Sequence, residues 1–97
     1  MAKFPFDTQK VIDICSQNDI AMMGVFGSSA RGESTLHSDI DLLVRFIHPK
    51  SLLFIVQLER KLSEITGKKV ELLTEEAISP YLRDRINKEL KIIYETR

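Results

Sequence analysis

The sequence predicts an α/β fold in the order α-β-α-β-α-β-α, with three strands and helices packed on one or both sides of them. Three observations predict it. Apolar residues recur at spacings of three and four in several segments; short runs rich in Ile, Leu and Val lie between them; and Gly, Pro and Ser punctuate the joints. With 97 residues the chain has room for one modest core, so one domain over residues 1–97 is expected.

The elements follow in order. Thr8 to Gln17 carries Val11, Ile12 and Cys15 on one face, with Asp7 or Thr8 placed to cap a short helix that ends near Asn18-Asp19. Ile20 to Phe26 is a short apolar run closed by Gly27, which suits a buried strand. Gly27 to Ser38 is small and polar, a turn with room for one helical turn after Ser28. Asp39 to Phe46 alternates and is rich in Ile, Leu and Val, a second strand. Pro49 stands where a helix can start; Leu52, Ile55, Leu58, Leu62 and Ile65 mark its apolar stripe, and Gly67 its end. Lys68 to Thr74 reads as a third strand. Ser79-Pro80 is a cap and first-turn pair, after which Leu82, Ile86, Leu90 and Ile93 predict a closing helix.

Composition narrows the function classes. Fourteen Lys and Arg balance fourteen Asp and Glu, so no long-range positive field is available to hold nucleic acid, and no nucleic-acid partner is expected. The single cysteine, Cys15, excludes an internal disulfide and any multi-cysteine metal site; its place on an apolar helix face makes it a core residue. The opening MAKFPFDTQK lacks the apolar run of a signal peptide, and no later segment is apolar enough to span a membrane. A cytoplasmic protein with no membrane partner is the expectation.

The chemistry is concentrated in Gly27-Ser28-Ser29-Ala30-Arg31-Gly32 and the run Ser38-Asp39-Ile40-Asp41-Leu42-Leu43-Val44. Residues two apart in a strand face the same way, so Asp39 and Asp41 leave the sheet together while Ile40, Leu42 and Val44 fill the other side. Adjacent carboxylates disfavour each other's ionisation, a cost that a divalent cation removes. Hard oxygen ligands on a rigid strand are what Mg²⁺ uses in phosphoryl and nucleotidyl transfer. Glu71, between Val70 and Leu72, would point to the face opposite the core and so supply a third carboxylate, or else be an exposed edge charge. Gly27 lets the backbone approach a phosphate, Ser28 adds a hydroxyl donor, and Arg31 is a fork for phosphate oxygens or a brace for the loop through Glu33 or a backbone carbonyl. Ser38 either touches the nucleotide or orients Asp41. The stretch is no Walker A loop, since it lacks the Gly-Lys-Ser/Thr ending.

Gly-Ser, ten intervening residues and then Asp-x-Asp, written here GSSARGESTLHSDIDLLV, closely resembles the minimal nucleotidyltransferases of the polymerase-beta-like superfamily, over nearly the whole chain. The resemblance implies the minimal polymerase-beta-like fold, a three-stranded mixed sheet packed with about four helices. It implies nucleotide binding by Gly27 and Ser28, with Arg31 and Ser38 beside them, and catalytic metal binding by Asp39, Asp41 and Glu71. Many relatives have Asp at the third position, so Glu71 departs by one methylene. Mg²⁺, in two ions, and ATP as donor are the implied cofactors. A protein of this size further resembles the antitoxin of HEPN/MNT pairs, which implies a co-encoded HEPN-domain RNase toxin as partner and AMP transfer to one of its hydroxyls, a tyrosine. Self-association would add interface without a symmetry that the sequence specifies.

Other readings stand beside these. The chain would act instead as a stoichiometric protein-binding antitoxin, or as a nucleotide-binding regulator without transfer. His37 reads as a solvated loop residue, His48 beside Pro49 as a loop or capping residue, and Met22 and Met23 as strand core or a partner-facing patch. Arg83, Arg85, Lys88 and Lys91 would line a phosphate-facing edge, but Asp84 and Glu89 interrupt them, which favours an ordinary solvated helix face.

Overall fold

The computed structural model describes residues 4, 6–32 and 39–96. Its elements are α1 (Thr8–Gln17), β1 (Ile20–Phe26), α2 (Ser28–Arg31), β2 (Ile40–Phe46), α3 (Leu52–Thr66), β3 (Val70–Thr74), a 3₁₀ turn at Glu75–Ala77, α4 (Pro80–Glu89) and β4 (Lys91–Glu95). Asp7 caps α1 by accepting the N–H groups of Gln9 and Lys10, and Ser51 caps α3 by accepting that of Phe54. Gly67 ends α3 in the left-handed conformation, at φ +71°.

The strands form one mixed sheet in the order β3-β2-β1-β4. The hairpin β1–β2 is antiparallel, the β2–α3–β3 crossover makes β3 parallel to β2, and β4 runs antiparallel to β1. Alternation along the strands divides the apolar residues between two faces. On one face Met23, Val25, Ile40, Leu42, Val44, Val70 and Leu72 pack with Val11, Ile14 and Cys15 of α1 and Leu58 and Leu62 of α3. On the other, Met22 and Leu43 meet Ile78 and Ile86, which α4 and its approach lay across the sheet. Burial pushes the Cys15 thiol up to about 12, against the slighter opposing effect of its backbone hydrogen bond, and its Sγ lies 3.5 Å from Met23 Sδ. The outward N–H groups of β3 are covered by α3: Ser63 Oγ accepts from Val70 and Glu59 Oε2 from Leu72, at 3.0 and 2.8 Å. An edge strand is thereby closed to further pairing. Among the described residues no helix is long and apolar enough to cross a membrane.

Two expectations need correction. The buried face of α1 is Val11, Ile14 and Cys15, with Ile12 only partly covered. The closing helix stops at Glu89, and the following residues form a fourth strand where three were expected. Leu90 takes extended backbone angles, φ −61° and ψ 127°, and Lys91–Glu95 pairs with β1. Free backbone groups on β1 satisfy those of the final segment, which outweighs the helical spacing of Leu82, Ile86, Leu90 and Ile93.

At this corner Leu90 packs directly on the backbone of β1. A Cβ on Gly24 would stand 2.5 Å from Leu90 Cδ1 and 2.9 Å from Cγ. Gly24→Val is therefore expected to cost about 1–3 kcal/mol by overpacking. Urea denaturation would measure it, and Leu90→Ala in the same chain should return part of the loss. A neutral Gly24→Val would contradict this packing.

Candidate active site

The register of the sheet assembles the site. Phe26, the last residue of β1, stands opposite Asp41 of β2, and Asp41 stands beside Glu71 of β3. The Gly27 turn and both carboxylates therefore meet at one end of the sheet, on the face away from α1 and α3. Ile40 and Leu42, on either side of Asp41, are fully buried in the opposite core, which fixes where Asp41 points.

Gly27 has φ +74° and ψ −153°, a conformation that is nearly restricted to glycine. A Cβ there would collide with Asp41 Oδ2. The carboxylate thus lies against the bare backbone of the turn. From Gly27 the chain enters α2, where Ala30 and Arg31 both donate to the Gly27 carbonyl at 3.1 Å, and Gly32 ends the turn at φ +74°.

Asp41 is held above the usual carboxylate range, first by burial, then by the charge and hydrogen bond of Glu71 and the charge of Asp39, with Arg31 pulling the other way. The structure thus brings Asp41 and Glu71 together and leaves Asp39 near enough to act by its charge. Among the described residues no three His, Cys, Asp or Glu side chains gather closely enough to hold a metal. Ser38 lies outside the described residues.

A cleft of about 350 Å³ opens at this end of the sheet. Gly27, Ser28, Arg31 and Asp41 form its polar wall, and Phe26, Leu73, Leu82 and Ile86 its apolar one. Arg31 pairs with Glu89 of α4, its Nη1 2.9 Å from Oε1; Glu33, the carboxylate expected to brace it, lies outside the described residues. Glu89 Oε2 also accepts the Gly27 N–H at 3.2 Å. Burial raises the Glu89 pKa, but the Gly27 N–H, Arg31 and Arg85 together hold it below its ordinary value. Sequence reasoning missed Glu89 because its partners lie 58 and 62 residues away. No local pattern distinguishes it from its solvated neighbours.

Residues 8–93 match the model of the nucleotidyltransferase domain family. The chain belongs to that family. It is a minimal nucleotidyltransferase, an enzyme of nucleotidyl transfer. A Methanocaldococcus jannaschii protein named "Putative protein adenylyltransferase" is 45% identical over 80% of this chain and 84% of its own. Protein adenylyltransferase MntA of Thermococcus cleftensis is 35% identical over 70% of this chain and 69% of its own. A solved minimal nucleotidyltransferase superposes with a TM-score of 0.77 at 33% identity, covering 87% of this chain and 86% of that one. The fold is also that of a toxin–antitoxin crystal structure with AMP-PNP, at TM-score 0.83 and 22% identity over 94% of this chain and 75% of that one.

The raised Asp41 pKa has a consequence for stability. The folded state binds its proton more tightly than the unfolded state, whose value is the ordinary 3.8. A penalty therefore develops as pH rises from the unfolded value through the folded one, and persists at neutral pH. In EDTA, Asp41→Asn should melt above the wild type at pH 7, with the gain vanishing below the carboxylate range. Thermal melts followed by circular dichroism across that range would check it. A variant less stable than wild type at pH 7 would contradict the assignment.

Proposed function

We propose that this nucleotidyltransferase moves AMP from ATP to a tyrosine hydroxyl of a HEPN-type toxin, with Mg²⁺ as cofactor, and so serves as its antitoxin. The observation that carries the reading is the meeting of Asp41, Glu71 and the Gly27 turn at one end of the sheet, where Gly27 and Asp41 line a cleft. The names of the relatives support the acceptor class, since several are protein adenylyltransferases. A similar fold occurs as the MNT antitoxin in complex with a tri-AMPylated Shewanella oneidensis HEPN toxin, at TM-score 0.73 and 21% identity over 92% of this chain and 70% of that one.

The carboxylates fit the cation. Mg²⁺ is held by one or two carboxylates together with substrate phosphates and water, and rarely by an all-protein cage. A close Asp41–Glu71 pair flanked by the charge of Asp39 is such a donor set, and its mutual repulsion is what a divalent cation relieves. Bound there, Mg²⁺ neutralises developing charge on the phosphates and makes a hydroxyl easier to deprotonate.

The chain's own residues do the rest. Ser28, the Gly27 N–H and Arg31 hold the β and γ phosphate oxygens, which leaves the α phosphorus toward Asp41. Asp41 and Glu71 would hold the cation side, with the charge of Asp39 beside them. The tyrosyl oxygen forms a bond to the α phosphorus as the bond to the bridging oxygen breaks; pyrophosphate leaves, and the phenolic proton passes to Glu71. The apolar wall of Phe26, Leu73, Leu82 and Ile86 receives the adenine ring. The toxin completes the site from the open side.

A metal's contribution to such a step is worth several kcal/mol, and each ~1.4 kcal/mol is tenfold in rate. Asp41→Asn should therefore lower kcat at least about a hundredfold. Glu71→Gln should lower kcat with less change in nucleotide affinity. Labelled-ATP transfer and AMP-PNP titration on the same samples would separate the two. Intact-mass spectrometry of the co-expressed toxin, given ATP and Mg²⁺, should show gain of AMP with the wild type and none with Asp39→Asn. A fully bound but unmodified toxin with the wild type would favour stoichiometric inhibition.

A further inference from the structure

Glu89 is the last residue of α4, and its carboxylate reaches across the cleft. One oxygen accepts the Gly27 N–H at 3.2 Å; the other accepts Arg31 Nη1 at 2.9 Å and lies 3.7 Å from Arg85 Nε. The side chain is only 19% exposed, so it is packed into the cleft rather than waving over it. The groups it engages are the backbone donor and the guanidinium that a triphosphate would need.

Carboxylate and phosphate oxygens make the same demand on such donors, a negative acceptor at about 2.7–3 Å. An N–H and a guanidinium turned into a cleft cost free energy when left unpaired. We propose that Glu89 is an internal stand-in for nucleotide phosphate: it holds the Gly27 N–H and Arg31 in place in the nucleotide-free enzyme and yields them to the triphosphate. This rests on the reading of the Gly27–Arg31 turn as the phosphate site. It adds a residue that opposes binding while keeping the site shaped for it.

The exchange has a direction and a resting place. A Mg²⁺-bound triphosphate brings more negative oxygens to the donors than one carboxylate does, so it displaces the side chain. Arg85 lies one turn earlier on the same helix and is 70% exposed. It keeps the displaced carboxylate paired at the surface. A simple brace predicts the opposite behaviour, because weakening a brace loosens the site and weakens binding.

Glu89→Gln keeps the length and one acceptor oxygen but removes the charge. Calorimetric titrations with AMP-PNP plus Mg²⁺, inorganic triphosphate and adenosine would compare it with wild type. We expect both phosphate ligands to bind about fivefold tighter or more, the difference between a charge-assisted and a neutral hydrogen bond, with adenosine unchanged. Glu89→Asp, which is too short to span both donors, should shift binding in the same sense; it serves if the first variant melts early. Unchanged or weaker phosphate binding in a folded variant would overturn the proposal and make Glu89 a brace. Arg31→Ala separates the two levels. If it binds triphosphate as well as wild type, the phosphate-site reading fails and the stand-in fails with it. If it weakens binding while Glu89→Gln does not tighten it, only the stand-in fails.

Discussion

Side-chain alternation along β2 is the constraint on which the rest of the molecule depends. Ile40, Leu42 and Val44 are wholly buried between the sheet and the α1–α3 layer. With those three fixed, Asp41 has to point to the other face, and a one-residue slip would exchange core for carboxylate. The parallel pairing with β3 then carries the same logic across to Glu71, whose neighbours Val70 and Leu72 are buried on the core side. Core packing brings the two carboxylates side by side. Burial first, and then the charge and hydrogen bond of Glu71, hold the Asp41 pKa up.

The glycine turn is tied to that pair by contact rather than by sequence proximity alone. Gly27 follows the residue that faces Asp41 across the hairpin, and the missing Cβ is the space that Asp41 Oδ2 occupies. A side chain at position 27 would meet both a forbidden backbone angle and an occupied volume. The two halves of the motif, separated by ten residues of chain, are thereby one packed unit. At the opposite end of these strands Asp19, itself at φ +59°, accepts from His48 Nδ1 at 2.7 Å and Lys50 Nζ at 3.1 Å and joins the turn before β1 to the turn after β2.

What the sequence disclosed follows the range of the interactions concerned. The α1 and β1 limits, the end of α3 at Gly67 and the Ser79-Pro80 start were legible because capping and alternation are written in neighbouring residues. The common face of Asp41 and Glu71 was legible because each is flanked by residues that must be buried. The final strand was not. Leu90 and Ile93 continue a helical stripe as naturally as Lys91-Ile92-Ile93-Tyr94-Glu95 makes a strand, and the deciding partner is β1, about seventy residues earlier. Glu89, which meets Gly27 and Arg31, was hidden for the same reason. Ile14 displaced Ile12 from the buried face of α1 because helix rotation is set by the neighbours it packs against.

Charge explains how a chain with no net charge can be an enzyme of nucleotidyl transfer. Its fourteen positive and fourteen negative residues cancel over the whole molecule, so no long-range field gathers polyanions. Around the cleft they are sorted. Asp41, with Glu71 beside it and the charge of Asp39 nearby, makes one side negative, whereas Arg31 and Arg85 converge on Glu89 at the other. A magnesium–nucleotide complex has the same polarity, cation at one end of the phosphates and bare oxygens at the other. Matching a dipole in this way needs no excess of either sign.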